Sequence, residues 1–286
     1  MAHDSALAGF DGLLLEGVAR CGAPLCVGID PVMEKMPEPL GSLEPPAAFE
    51  AFSREVVEAV RPHAAAVKFQ SACFEALGAP GVTALQRGIG AAADAGLAVI
   101  LDAKRGDIGI SARHYAAAAK GLGAHAITVN PYLGMETIEP YLEAGLAVFV
   151  LVRTSNAGSA DMQDVRLASG GTLAMHVGGL VRELGQRWPG VHAVVGATQG
   201  AHAEALRAVM PEAVFLLPGL GAQGATVADL GAFAKPAGGD DPTRGLLATA
   251  SRSVIFAGEG AAWASQVGDA AAALCGELRS AMTTES

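Results

Sequence analysis

The chain has 286 residues, a formal net charge of −10 and a pI near 5.1. Its lysines and arginines form no cluster that offsets this acidic background, which excludes nucleic acid and anionic membrane surfaces as partners. A chain of this length can bury a substantial core, as one domain or as two.

No apolar run approaches the roughly 18 to 20 residues that a membrane helix needs, so the sequence predicts no membrane partner. The amino terminus has no basic segment followed by an apolar one, and we therefore expect no signal peptide and a cytoplasmic protein. Cys21, Cys26, Cys73 and Cys275 include no CxxC pair, and the histidines have no metal-ligand spacing. We expect free, mostly buried thiols and no structural metal.

An extra amino-terminal helix is predicted around 5–20, and beyond it short apolar runs alternate with Ala-rich segments that favour helix. The apolar runs predict strands at 24–29, 65–69, 97–102, 125–129, 147–152, 191–196, 213–217 and 253–257. The segments between and after them predict helices at 46–61, 81–95, 111–122, 135–144, 172–187, 201–209, 226–234 and 259–281.

Eight apolar strands that alternate with helices indicate an α/β fold in which a parallel sheet closes into a (β/α)8 TIM barrel. We expect one catalytic domain over 1–286. An open doubly wound sheet is the alternative, but no GxGxxG motif follows the first strand. The segments 155–171 and 235–245 are longer than simple barrel loops. They are either lids or surface insertions, and surface insertion is the better account of the second.

The segment LDAKRGDIG at 101–109 concentrates charge at the end of the third predicted strand. The period of a strand places Asp102 and Lys104 on one face, with Asp107 beyond the strand end. A lysine between two carboxylates stays protonated, because each opposite charge at about 4 Å contributes on the order of 4 kcal/mol at a dielectric near 20. Such a lysine is a proton donor. The alternative is a solvated turn in which Asp107 caps a helix.

Other polar residues also fall at predicted strand ends, where a barrel of this class places its reacting groups. They are Asp30, Lys68, Asn130, Thr154 and Ser155. Each of these residues alone could simply belong to a turn. Because all of them fall at the same end of the predicted barrel, we favour a shared pocket.

A phosphate ligand is indicated by PGLGAQG at 218–224, which follows strand seven and precedes a predicted helix. Glycines let the backbone approach a phosphate closely, and a helix amino terminus supplies free N–H groups. Arg252, with Ser251, directly precedes the predicted strand eight and could pair with the same phosphate.

These residues resemble the orotidine 5'-phosphate decarboxylase family, whose central motif is D-x-K-x-x-D-I. The chain has this motif at 102–108, and the resemblance covers nearly all of it. The other matching segments are CVGIDP at 26–31, AVKFQ at 66–70, TSNAG at 154–158, PGLGAQG at 218–224 and SRS at 251–253. The long loops and the overall length are similar to the bacterial type 2 subfamily.

The resemblance implies that the chain converts orotidine 5'-monophosphate to UMP and CO2, the last step of UMP synthesis, without a metal or organic cofactor. Lys104 would donate a proton to C6 of the pyrimidine, and Asp102 would face the substrate carboxylate. Asp107 would reach into the active site of a partner subunit, which implies a homodimer with shared active sites. Ile108 and Ser111 would cross with it, and Ser111 stands where shorter members commonly have threonine.

The same resemblance assigns the remaining substrate contacts. Asp30 and Lys68 match positions that contact the ribose hydroxyls, and Ser155 matches a pyrimidine contact. Gln223 and Arg252 match positions on the phosphate side of the substrate.

Two other functions compete with this one. A related sugar-phosphate decarboxylase uses a divalent metal, but its metal ligand on strand two is acidic, whereas this chain has Lys68, which would repel Mg²⁺. A non-catalytic nucleotide-phosphate-binding barrel is the second alternative. It predicts a damaged charge network, whereas Asp102, Lys104 and Asp107 are all present.

Overall fold

The computed structural model describes residues 9–221, 224–235 and 241–284. Eight parallel strands close into a barrel in which each strand pairs with the next and the last pairs with the first. The predicted (β/α)8 TIM barrel is confirmed. The strands are β1 (Leu25–Ile29), β2 (Ala66–Gln70), β3 (Ala98–Arg105), β4 (Ala126–Val129), β5 (Ala147–Arg153), β6 (Val191–Val195), β7 (Phe215–Pro218) and β8 (Leu246–Ala250).

Helices surround the barrel, and the extra amino-terminal helix is present, although residues 5–8 of its predicted range lie outside the described residues. The α-helices are α1 (Phe10–Cys21), α2 (Glu38–Gly41), α3 (Pro45–Val60), α4 (Ser71–Glu75), α5 (Gly78–Asp94), α6 (Gly109–Gly121), α7 (Glu139–Glu143), α8 (Ala160–Gln163), α9 (Leu173–Arg187), α10 (Gly200–Val209), α11 (Arg252–Ile255) and α12 (Trp263–Thr284). The helix predicted at 226–234 is a 3-10 helix, Val227–Phe233, and the one predicted at 135–144 divides into a 3-10 turn, Met135–Thr137, and α7. No helix in the described ranges is long and apolar enough to cross a membrane.

The strands are apolar along their length because helices cover the outside of the barrel and side chains fill its inside. Every residue of β1, β4, β6 and β8 is buried. Lys68 of β2 and Asp102 of β3 are buried charged residues near the carboxyl ends of their strands. Buried charges at that end of a parallel barrel indicate a functional site rather than a packing requirement.

The eighth strand was predicted in the wrong place. The structure forms β8 from Leu246–Ala250, and the segment predicted as strand, 253–257, begins inside α11. The Ser251 carbonyl accepts hydrogen bonds from the backbone N–H groups of Val254 and Ile255, so this apolar run is buried as a helical turn. A short apolar run cannot be distinguished from a buried turn by its pattern. Ser251 and Arg252 therefore follow β8 and lie at its carboxyl end.

A buried arginine joins several elements at the opposite end of the barrel. The Arg207 guanidinium, on α10, donates to the backbone carbonyls of Phe233, Met210, Ala213 and Gly245 at 2.7–3.1 Å. It also stacks on the Phe215 ring, 3.6 Å from the centroid. Burial lowers the pKa of Arg207 to about 10. One side chain thus donates to all four carbonyls, and the Gly245 carbonyl also accepts from the Phe215 backbone N–H.

We predict that Arg207→Met lowers the free energy of unfolding by about 2–4 kcal/mol, because buried carbonyls that lose their donor keep their desolvation cost. Arg187→Met is the matched control: the Arg187 side chain is 60% exposed and pairs with Glu139 at the surface. Exposed ion pairs contribute about 1 kcal/mol or less, so the control should unfold near the wild-type midpoint in urea. Equal losses of unfolding free energy in the two variants would contradict the role given to Arg207.

Candidate active site

A cavity of about 470 Å³ opens at the carboxyl ends of the strands. Most of the sequence-predicted site residues line it: Asp30, Lys68, Asp102, Lys104, Ser155 and Arg252. A wider surface groove of about 920 Å³ lies outside the barrel, against α3, α5 and α12, but no strand contributes to it. The smaller cavity is the candidate active site because strand ends supply its charged groups.

The Asp102 carboxylate lies between two lysines. Lys68 Nζ donates to Asp102 Oδ2 at 2.9 Å, and Lys104 Nζ donates to Asp102 Oδ1 at 2.6 Å. Lys68 is also 3.8 Å from Asp30 Oδ1. The Lys68 side chain is 6% exposed, whereas that of Lys104 is 46% exposed. Lys68 is therefore enclosed by protein, and Lys104 is the lysine whose ammonium group a bound molecule can contact.

The two lysines control the ionisation of Asp102. Burial opposes the charged form, but the adjacent Lys68 and Lys104 ammonium groups outweigh it and hold the pKa of Asp102 well below its ordinary 3.8. Burial likewise opposes the charge on Lys68, yet Asp102 and Asp30 raise the Lys68 pKa above its ordinary 10.5. Asp102 is thus an anion and Lys68 a cation at neutral pH.

Lys104 has an unusual backbone. Its φ is +46°, in the left-handed region that lysine rarely adopts. The pairing of β3 with β4 shifts in register between Leu101 and Arg105, so the strand is irregular at this point. Thr128 on β4 accepts a hydrogen bond from the Lys104 backbone N–H at 2.9 Å, and its hydroxyl donates to Asp102 Oδ1 at 2.9 Å.

The expected cage of one lysine between two carboxylates does not form within the chain. Across the described residues, Lys104 pairs with Asp102 and makes no ion pair with Asp107. Asp107 Oδ1 instead accepts from the neighbouring Ile108 N–H at 2.8 Å. Strand geometry explains the difference, since Asp107 lies beyond the end of β3. Asp107 and Ser111 do not line the cavity of their own chain.

The segment after β5 forms part of the cavity wall, and a buried arginine donates hydrogen bonds to it. Arg153, which is 4% exposed, donates to Gln163 Oε1 at 3.1 Å and to Asp164 Oδ2 at 3.0 Å. Gln163 Oε1 also accepts from the Thr154 backbone N–H at 2.8 Å. Gln163 therefore joins Thr154 and Ser155 in lining the cavity, so the 155–171 segment begins at its mouth.

The cavity wall after β7 and β8 carries the features predicted for a phosphate. Gly219, with φ +117°, and Arg252 line the cavity. A Cβ on Gly28 would lie 1.9 Å from Ser251 Oγ, so only glycine leaves room for this serine. Gln223 lies outside the described residues. The following helix is 3-10 rather than α, which weakens the expected helix-terminus contribution to phosphate binding.

Among the polar cavity residues that sequence reasoning missed are Gln70, Thr128, Gln163 and Thr249. Thr128 is the one hydroxyl in the buried strand β4, and a buried hydroxyl needs a hydrogen-bond partner, which was an available signal. Gln163 had no such signal, because it lies ten residues beyond β5, at the end of the short helix α8. Among the described residues there is no cluster of three or more His, Cys, Asp or Glu side chains that could hold a metal ion.

Comparison with known proteins gives consistent matches. The model of the orotidine 5'-phosphate decarboxylase / HUMPS family matches residues 23–267. The orotidine 5'-phosphate decarboxylase of Deinococcus radiodurans is 45% identical over 244 residues, which are 82% of this chain and 84% of the relative. That of Halobacterium salinarum strain R1 is 43% identical over 255 residues, 87% and 90% of the two chains.

Solved structures agree with the sequence matches. The OMP decarboxylase of Leishmania donovani is similar with a TM-score of 0.81 and 34% identity, over 96% of this chain and 99% of that one.

We predict that Asp102→Asn lowers the free energy of unfolding at pH 7 by about 3 kcal/mol, because it leaves the buried Lys68 ammonium without its closest counter-charge. The folded-state pKa of Asp102 is depressed, so its stabilisation is complete well above its ordinary 3.8 and is lost as the pH falls towards the folded-state value. Urea unfolding should therefore show that the difference in unfolding free energy between wild type and variant becomes smaller below about pH 4. Asp269→Asn, an exposed position on α12, is the control and should change little.

Proposed function

The chain belongs to the orotidine 5'-phosphate decarboxylase family and is a carboxy-lyase, and from this premise we propose that Lys104 is the proton donor in the conversion of orotidine 5'-monophosphate to UMP and CO2. The proposal treats 1–286 as one catalytic domain. The observation that carries it is the position of the Lys104 ammonium, half exposed in the cavity and 2.6 Å from an ionised carboxylate.

In the proposed step, the bond between C6 of the pyrimidine and the substrate carboxylate carbon breaks, and its electron pair stays on C6 as CO2 leaves. The ring cannot delocalise this in-plane carbanion well, so stabilisation must be electrostatic. The Lys104 ammonium provides a fixed positive charge next to C6 and then transfers one proton to it. The resulting neutral lysine regains a proton from solvent after UMP departs.

Asp102 has two effects in this proposal. Its negative charge holds the Lys104 ammonium in place before the substrate arrives. It also lies on the cavity wall where the substrate carboxylate would approach Lys104. As CO2 leaves, the negative charge moves from the substrate carboxylate, next to Asp102, to C6, next to Lys104, so Asp102 favours the transition state over the bound substrate.

The remaining cavity residues suit the other parts of the substrate. The Asp30 side chain lines the cavity beside Lys68 and is 29% exposed, so its carboxylate is available to accept from a ribose hydroxyl. Ser155 lies on the wall proposed for the pyrimidine. Arg252 and the backbone at Gly219 line the cavity after the neighbouring strands β8 and β7 and suit the phosphate, with Gln223 proposed beside them.

We also propose a homodimer in which Asp107 serves the active site of the partner subunit. Ile108 and Ile110 beside it are 61% and 64% exposed, and Tyr132 and Leu133 after β4 are 77% and 44% exposed. The two segments are neighbours, since the Asn130 N–H donates to the Arg105 carbonyl. Exposed apolar side chains grouped at the cavity mouth favour an interface there. Ser111, on the first turn of α6, would approach the partner's site with Ile108.

The family model also covers the HUMPS group, so a metal-dependent sugar-phosphate decarboxylase is the competing activity. That activity would need an acidic ligand at the end of β2. The position is occupied by Lys68, which donates to Asp102 and is buried as a cation. A buried ammonium repels a divalent cation at this point, and the observation favours orotidine 5'-monophosphate as the substrate.

We predict that Lys104→Ala lowers turnover of orotidine 5'-monophosphate by at least about a thousandfold, because both the charge next to C6 and the proton are lost. Chelator-treated protein should be assayed by the fall in substrate ultraviolet absorbance and by CO2 release. Lys120→Ala, an exposed lysine on α6, is the control and should keep wild-type turnover. Near-native turnover by Lys104→Ala would exclude the proposed donor.

The shared site is tested by mixing Lys104→Ala subunits with Asp107→Ala subunits, each inactive alone. If Asp107 acts in the partner's site, a mixed dimer contains one site with both residues intact, and random reassociation restores about a quarter of wild-type activity. If both residues act in the same chain, every site in the mixture has a lesion and activity stays at the level of the single variants. The second result would contradict the proposed arrangement.

A further inference from the structure

We propose that Thr128 is a positioning residue for the proton donor, an inference that rests on the role proposed for Lys104. Thr128 lies on β4 and is 1% exposed. No motif in the chain points to it, and it offers no group that could replace Lys104 in the reaction. Its proposed effect is to hold the Lys104 backbone and the Asp102 carboxylate in one fixed arrangement.

The direction of each hydrogen bond at Thr128 is fixed by its partner. Ionised Asp102 can only accept, so the single hydroxyl proton of Thr128 must point to Asp102 Oδ1, 2.9 Å away. The Lys104 backbone N–H can only donate, so it must use a lone pair of the same hydroxyl, also at 2.9 Å. One hydroxyl therefore joins the main chain of the donor to the carboxylate that its side chain contacts.

The Lys104 backbone needs such a partner because the β3–β4 ladder is interrupted there. The register between the strands shifts between Leu101 and Arg105, and Lys104 has a φ of +46°. In regular pairing a carbonyl of the neighbouring strand would accept the N–H. The Thr128 hydroxyl takes that place, and it accepts an N–H that would otherwise be unsatisfied in a left-handed conformation that lysine disfavours.

Hydrogen bonds consequently hold both the backbone N–H and the side-chain ammonium of Lys104. Its N–H contacts Thr128 Oγ1, its Nζ contacts Asp102 Oδ1, and Thr128 donates to that same carboxylate oxygen. Without the hydroxyl, the left-handed turn loses its support and the ammonium is no longer directed to one point in the cavity. Substrate contacts assigned to Asp30, Ser155 and Arg252 involve other strands, so binding should change far less than the chemical step.

Thr128→Val and Thr128→Ser separate positioning from packing. Valine keeps the shape of threonine and removes the hydroxyl, whereas serine keeps the hydroxyl and removes a methyl group. We expect Thr128→Val to lower kcat by about tenfold to a hundredfold with KM changed less than about threefold, and Thr128→Ser to restore kcat to within a few-fold of wild type. Unchanged kcat in the valine variant, or equal loss in both variants, would overturn the inference.

A second measurement does not depend on turnover. The Lys104 backbone amide should exchange its hydrogen slowly in the wild type and in Thr128→Ser, and faster in Thr128→Val, at a temperature where all three proteins are folded. Equal exchange in all three proteins would overturn the proposed contact. If the wild type failed to decarboxylate orotidine 5'-monophosphate while the exchange pattern held, the proposed function would fail and the hydrogen-bonding role of Thr128 would stand.

Discussion

The Asp102 carboxylate, shared by the Lys68 and Lys104 ammonium groups, is the interaction on which the site depends. Removing these charges from water is unfavourable, and the arrangement persists because each carboxylate oxygen receives strong donors: Lys68 on one, Lys104 and Thr128 on the other. The result is a carboxylate that stays ionised and holds the Lys104 ammonium against it. The ammonium must be fixed in this way before its proton can be delivered to a carbanion.

The barrel brings these groups together because its parallel strands all end at one rim. Asp30, Lys68 and Asp102 follow or end neighbouring strands, and β8, which pairs with β1, delivers Ser251 and Arg252 to the same cavity. Lys104 is the exception to regular geometry. Its left-handed backbone lies where β3 and β4 lose register, and this local strain is held by a buried hydrogen bond rather than by the sheet. Strain of this kind is typical of functional positions.

Much of this arrangement was predictable from the sequence. Strand periodicity located the first seven strands within a few residues, and polar residues at their ends identified Asp30, Lys68, Asp102 and Lys104 as neighbours. The eighth strand was misplaced because a five-residue apolar run fits a buried helical turn as well as a strand. The motif spacing also suggested two carboxylates around Lys104. It could not show that Lys68, thirty-four residues before Asp102, would contact that carboxylate. Contacts between strands, such as those of Thr128, depend on register, which no local pattern specifies.

The central claim is that Asp102 stays ionised because two ammonium groups flank it, and carboxyl-carbon NMR of the protein labelled at its aspartates tests this most directly. Asp102→Asn identifies the resonance, and a short unstructured peptide with a single aspartate serves as the reference. As the pH falls from about 7 to about 4, the account predicts that the Asp102 resonance stays at its ionised position while that of the peptide begins to move towards the protonated position. An Asp102 resonance that moves together with that of the peptide, or at a higher pH, would contradict the account.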